Sequence, residues 1–347
     1  GFPETVYVGE DGFFVLALIL DWYPLRRLPS GLGDWFKPPA RGVLLQKVPF
    51  TLLGIAFAVQ AARAQASVAF TAIPLEQWPI GARILQACYG LMFYIQKLVA
   101  PINLAALYEL EPFKPLNQPR FILGVLFALT LAAAAIILRR RLPAFTAAAL
   151  AYTIILSPVL GFSQSGPQLV ADRYSYIANI SWALLIAAGV VHLLTRRFPS
   201  RAARAGAALA AVAVLSLLAG LTWRQSRVWH DTETLFAHAI SSGADGPIIR
   251  QYYAAQLLKA GRVNDAIANL QTATRLEPRY GEPWFKLANA LKDQNRLPEA
   301  EQAYLAAAKG MSDSWRPNLM LGILYIAKMD RPKDAAERFR AAIANAE

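Results

Sequence analysis

Residues 247–280, PIIRQYYAAQLLKAGRVNDAIANLQTATRLEPRY, and residues 281–314, GEPWFKLANALKDQNRLPEAEQAYLAAAKGMSDS, are two passes through one pattern. At a spacing of 34 residues Tyr253-Ala254 matches Leu287-Ala288, Leu257 matches Leu291 and Gly261 matches Asn295. Ala266, Leu270 and Ala273 match Ala300, Tyr304 and Ala307 in the same way. Pro278 and Trp284 stand at a helix end and at an aromatic anchor position. A third pass starts near Trp315 with Leu321-Gly322 and Tyr325, and has one extra residue before Ala335, Phe339 and Ala342. Small residues at fixed places let two antiparallel helices approach closely, and the large apolar residues fill the layer to the next pair. Residues 247–347 therefore read as three helical repeats stacked into a solenoid. A joining helix is expected over 227–242, and further repeats or a cap beyond Glu347.

Working upstream, the composition changes. Over the whole chain 56% of residues are apolar and 17% are charged, where a soluble domain carries about a quarter charged. The net charge of +12 is uneven: residues 1–223 hold 18 Lys and Arg against 9 Asp and Glu, residues 224–347 hold 17 against 14. An excess of cations in the apolar part points to membrane topology and lipid headgroups, not to nucleic acid. One cysteine, Cys88, rules out an internal disulfide and a cysteine metal cluster, and three isolated histidines make a histidine site a poor reading. No metal or cofactor is implied by these residues. The chain opens on Gly1 with no legible signal peptide, so it is expected to be part of a longer or processed protein.

Apolar runs at about 43–62, 120–138, 143–161, 175–195 and 205–223 each approach the roughly 20 residues that a membrane helix needs. A sixth, 12–25, is shorter and contains Asp21. Residues 1–223 thus read as a transmembrane domain of about six spans, and 224–246 as a connecting helix. Basic residues cluster in three loops: Arg26 to Arg41, Arg139 to Arg141, and Arg196 to Arg204. The positive-inside rule puts all three in the cytoplasm, and the repeats on the opposite face. The assignment is self-consistent if 82–100, which carries Arg83, Gln86, Gln96 and Lys97, lies in the interface or re-enters it. An ordinary span with polar residues facing the bundle is the competing reading.

The run Ala171-Asp172-Arg173-Tyr174-Ser175-Tyr176 follows a short loop on the outer face. A charged pair at a membrane interface is costly to place and usually has a task. Arg173 can grip a lipid-linked phosphate with its planar fork, and Asp172 can orient it. Equally, the pair can cap the helix that follows and anchor it at the headgroups. Lys97 is a second candidate phosphate ligand, or a snorkelling headgroup anchor. Asp21 reads as an interfacial anchor among aromatics. No phosphate loop, zinc spacing or nucleophile elbow is present, and no catalytic residue is legible.

The repeats resemble the tetratricopeptide repeat, which makes the chain all-α: a polytopic helix bundle followed by a tetratricopeptide-repeat solenoid. The wider order of features is also distinctive. Leu-Asp-Trp-Tyr-Pro-Leu (20–25), Leu-Gln-Lys-Val-Pro-Phe (45–50), Tyr-Ile-Gln-Lys (94–97), Pro-Val-Leu-Gly (158–161), Ala-Asp-Arg-Tyr-Ser-Tyr (171–176) and Trp-His-Asp-Thr-Glu-Thr-Leu-Phe (229–236) precede the repeats. This is similar to the C-terminal part of bacterial relatives of the transmembrane-and-tetratricopeptide-repeat O-mannosyltransferases. Positions 22 and 23 depart from the family, whose members usually read Tyr-Trp there. The resemblance implies sugar transfer from a polyprenyl-phosphate donor to a protein or peptide acceptor at the outer face of a bacterial inner membrane. It places the catalytic carboxylate on an external loop that this sequence lacks, so Glu10 and Asp11 are not promoted to that role. Tyr253, Leu257, Trp284, Leu287, Leu291 and Tyr325 are the expected protein-binding residues of the repeats. The alternative is a membrane-anchored repeat scaffold without activity.

Overall fold

The computed structural model describes residues 11–29, 31–66, 78–111, 116–161, 167–197 and 200–346. Glu10 and the loop residues 162–166 lie outside these. The described chain is helical apart from two short strands, and it divides into two compact units. One comprises residues up to 104 and 110–219; the other comprises 105–109 and 220–347.

The first unit contains α1 (Asp11–Trp22), α2 (Ala40–Leu45), α3 (Val48–Ala66) and α4 (Ile80–Val99), and the strand β1 (Tyr108–Glu109) belongs to the other unit. After them come α5 (Pro119–Leu138), α6 (Pro143–Leu156), the strand β2 (Gln168–Val170), α7 (Ser175–Ala178) and α8 (Ile180–Arg197), then α9 (Arg201–Val228), whose residues from Gly220 on belong to the other unit. Pro119 and Pro143 open α5 and α6, where the missing N–H costs nothing. Among the described residues three stretches are long and apolar enough to cross a membrane: Ala40–Phe57, Pro119–Leu138 and Arg201–Val228. A fourth is a bent pair, Asp172–Ala178 with Ile180–Thr195, turned through 50°.

Among the described residues, two of the expected spans, 143–161 and 175–195, are not single unbroken helices. The run 143–161 stops early, because Pro158 turns the chain into a 3-10 segment at Ser157–Val159. The run 175–195 breaks at Asn179. There Ser181 Oγ donates to the Ala178 carbonyl at 2.9 Å, a back-bond that competes with the helix ladder.

α4 is not among the spanning stretches. Its buried side carries Ala82, Gln86, Ala87, Gly90, Phe93 and Tyr94. Gln86 is 1% exposed and bonded at both ends of its amide: Trp78 Nε1 donates to its Oε1 at 2.9 Å, and its Nε2 donates to the Leu169 carbonyl at 3.0 Å. Tyr152 of α6, wholly buried, donates its hydroxyl to the Leu91 carbonyl. α4 is thus held on several sides by its own unit.

In the same unit Asp21 is 1% exposed. Its carboxylate meets Arg27 at 3.0 Å and Lys47 at 2.8 Å, and its carbonyl accepts the N–H groups of Arg27 and Leu28. It holds the start of the basic loop after α1 and ties it to Lys47.

The second unit holds α10 (Thr232–Ser241), α11 (Pro247–Lys259), α12 (Val263–Leu276), α13 (Gly281–Asp293), α14 (Leu297–Gly310), α15 (Trp315–Lys328) and α16 (Pro332–Ala344). Successive helices pair in the order that the 34-residue pattern requires. The turns inside the three pairs use left-handed residues, Gly261 (φ 75°), Asn295 (φ 58°) and Asp330 (φ 50°), and these residue types tolerate that region best. A single joining helix over 227–242 does not form. α9 runs on to Val228, and Asp231 restarts the chain by capping α10 through the N–H and hydroxyl of Thr234, both at 2.7 Å.

Candidate functional site

Two places carry the residues singled out from sequence, one in each unit. In the first unit Ala171 is fully buried, and its N–H donates to the hydroxyl of Tyr94 on α4 at 3.3 Å. That bond fixes the start of a 3-10 turn, Asp172–Tyr174. Ser175 Oγ closes the turn by donating to the Asp172 carbonyl at 2.7 Å. Gln168 Nε2 donates to the Tyr174 hydroxyl at 2.9 Å and so ties β2 to the turn. The order strand, turn, helix follows from Ala171 being extended and from Ser175 being able to bond its own backbone.

The turn separates its two charged residues. Arg173 is exposed. Its guanidinium lies 4.9 Å from the centre of the Tyr174 ring, with one N–H 3.4 Å from that hydroxyl. Asp172 is half-buried and faces α4, where its charge is felt at Tyr89, Tyr94 and Lys97. Asp172 and Lys97 are therefore brought into electrostatic reach. Burial lowers the Lys97 pKa and Asp172 pushes it back up. Lys97 Nζ donates to the carbonyls of Ile102 at 2.7 Å and Asn103 at 3.0 Å. Two of its three donors thus close the turn after α4. That use of the ammonium favours a structural role over phosphate binding.

Sequence reasoning missed a neighbouring cluster. Arg120, at the start of α5, pairs with Glu111 and lies 5.9 Å and 5.0 Å from the ring centres of Tyr89 and Phe121. An Arg one residue after the proline that opens an apolar helix was the available signal.

In the repeat unit the expected binding residues are mostly core. Leu257, Leu287, Leu291 and Tyr325 are between 0% and 4% exposed. They pack the layers together and offer no surface to a partner, which corrects their assignment as contact residues. The physical reason is plain: the positions that recur most regularly are those the solenoid needs for its own core. Tyr253 and Trp284 are half-buried against that core, and Trp284 Nε1 donates to the Pro278 carbonyl at 3.0 Å.

Polar groups that do reach the surface gather around α11, α13 and α15. Lys286 Nζ lies 5.7 Å from the Tyr252 ring centre, and Arg316 lies 4.6 Å from that of Phe285 and 3.3 Å from Glu282. Burial lowers the Lys286 pKa, Glu282 opposes this and Arg316 reinforces it. Burial, then Glu109 and Glu277, push the Tyr280 hydroxyl up to about 12. Such a mixture of cations and rings suits polar and aromatic peptide groups. Among the described residues no group of three or more His, Cys, Asp or Glu is placed to hold a metal ion.

The tetratricopeptide repeat family model matches residues 257–314. Human protein O-mannosyl-transferase TMTC1 is 26% identical over 125 residues, which are 36% of this chain and 14% of that protein. The mouse protein of the same name is 26% identical over 125 residues, 13% of its length. The chain thus spans about a seventh of the length of the curated relatives it matches. Among solved structures, MamA 41-end from Desulfovibrio magneticus RS-1 is 21% identical at a TM-score of 0.30, covering 37% of this chain and 69% of that one. YrrB, described as a TPR protein with an unusual peptide-binding site, is 15% identical at a TM-score of 0.30, covering 63% and 86%. The chain carries tetratricopeptide repeats and, over about a third of its length, a distant likeness to an O-mannosyl-transferase.

Proposed function

We propose that this chain is the membrane and repeat part of a glycosyltransferase-like protein. It takes a sugar from a polyprenyl-phosphate donor and passes it to a protein or peptide acceptor held by the repeats, on the extracytoplasmic side of a bacterial inner membrane. The observation that carries the reading is the distant likeness to an O-mannosyl-transferase in a chain that also has apolar, membrane-length helices and tetratricopeptide repeats. Arg173 is the donor-phosphate ligand: it is exposed, outside any ion pair with Asp172, and planar. Asp172 positions the turn from its buried side. The orientation rests on the three basic loops; a reporter fused after Trp229 that works only in the cytoplasm would overturn it.

The test of activity is sugar-lipid turnover per folded molecule in the full-length protein. Arg173→Lys keeps the charge but loses the two-pronged grip, so turnover falls while abundance holds. Wild-type turnover in both Arg173→Lys and Asp172→Asn ends the donor-site assignment. A second reading, a membrane-anchored scaffold, is favoured by the family match lying wholly within the repeats. Acceptor capture without any turnover by the full-length protein supports it.

A further inference from the structure

α10 is in register with the second helices of the repeats. Phe236 and Ala239 stand one repeat length before Leu270 and Ala273, and they are 2% and 1% exposed. Glu233 stands two repeat lengths before Glu301. Each of these acids receives the arginine that opens the next second helix: Arg262 reaches Glu233 at 2.6 Å, and Arg331 reaches Glu301 at 2.8 Å. α10 is thus the second helix of an incomplete leading repeat. Its first helix would fall at 213–225, inside α9, and no residue of α9 is buried.

The vacant place is filled from far upstream. Ala105 and Leu107, 3% and 9% exposed, pack with Phe236, Ala239 and Ile249. Glu109 then accepts the N–H of Ile248 at 3.1 Å and that of Ile249 at 2.6 Å. These are the donors a helix N-cap normally satisfies. α11 begins after Gly246, which has no side chain to do so, and a Cβ at Gly246 would strike the Glu109 carboxylate. The cap position is empty in sequence and occupied in space.

We propose that the leading end of the array, formed by α10 and the start of α11, is a docking surface for an extended segment with an apolar residue and a carboxylate two positions later. Its occupant is this chain's own segment Ala105–Glu109, which closes the array as a missing helix would. The experiment is hydrogen–deuterium exchange on the full chain in detergent, comparing wild type, Glu109→Gln and Leu107→Asp. Loss of two charge-assisted bonds raises exchange in α10 and the first turn of α11 about tenfold or more in Glu109→Gln, with α13 to α16 unchanged. A synthetic peptide of residues 103–111 restores protection to the Leu107→Asp chain. Unchanged exchange in Glu109→Gln, or an equal rise through α16, overturns the proposal; so does failure of the peptide to protect a folded Leu107→Asp chain. If Leu107→Asp does not fold, the Glu109→Gln pattern alone decides.

Discussion

α9 and α13 are both regular helices, yet they use apolar residues in opposite ways. None of the 28 residues of α9 is buried, although Leu209, Leu215, Leu217 and Trp223 are among them. Of the 13 residues of α13, seven are buried. In α13 the apolar residues face other helices and the small ones set the spacing. In α9 they face outward all round, the pattern of a helix long and apolar enough to cross a membrane. The same contrast holds for charge. In the repeat unit three arginines, Arg262, Arg296 and Arg331, each pair near the surface with an acid three residues on. The first unit hides an acid, Asp21, between two cations. One kind of secondary structure carries its apolar residues and its charges in two opposite arrangements.

The contrast is open to attack at several points. Leu291→Ala is expected to cost the repeats about 2–5 kcal/mol, whereas Leu217→Ala on α9 should leave their denaturant midpoint where it was. Equal losses from both would show that α9 packs like a soluble helix. Asp21→Asn removes the buried partner of Arg27 and Lys47 and is expected to destabilise the first unit by about 1–3 kcal/mol. Thermal unfolding in detergent measures it, and repeat-unit unfolding should not move. Gly161 sits at φ 92°, and a Cβ there meets the Gln86 amide. Gly161→Ala should therefore cost roughly 1–3 kcal/mol through strain and a displaced amide.

The smallest effect is alkaline. Tyr280 and Tyr325 are pushed up to about 12, both chiefly by burial. A raised folded value means that this stability is fully present below the ordinary tyrosine pKa of 10 and is lost as pH rises towards 12. Repeat unfolding followed by circular dichroism should show the loss only above pH 10, and Tyr325→Phe should reduce it.

The repeats were legible because their cores are local: Ala254, Leu257, Ala266 and Leu270 recur at a fixed spacing, and a repeat's core is its sequence. Their contact surface was not, because the same regularity drew attention to Leu257 and Leu291, which are inside. In the first unit the lengths of α5 and α9 could be read from apolar runs alone. The break at Asn179 could not, since it depends on a Ser181 back-bond within an otherwise continuous run. Lys97 and Asp172 were both picked out, but nothing in sequence told that Lys97 spends its donors on Ile102 and Asn103. The capping role of Glu109 was not legible, because its partners are 139 and 140 residues away.

That distance has a consequence for the order of assembly. During synthesis residue 109 exists long before residue 248, so the acceptor for the first turn of α11 is already made when that helix emerges. The array can then grow from a finished end, each new pair of helices stacking on the one before. Chains released early, after α12 or α14, should carry a shorter array that is already sealed on its leading side. An array expressed from residue 229 onward would have every repeat and still begin with an open end.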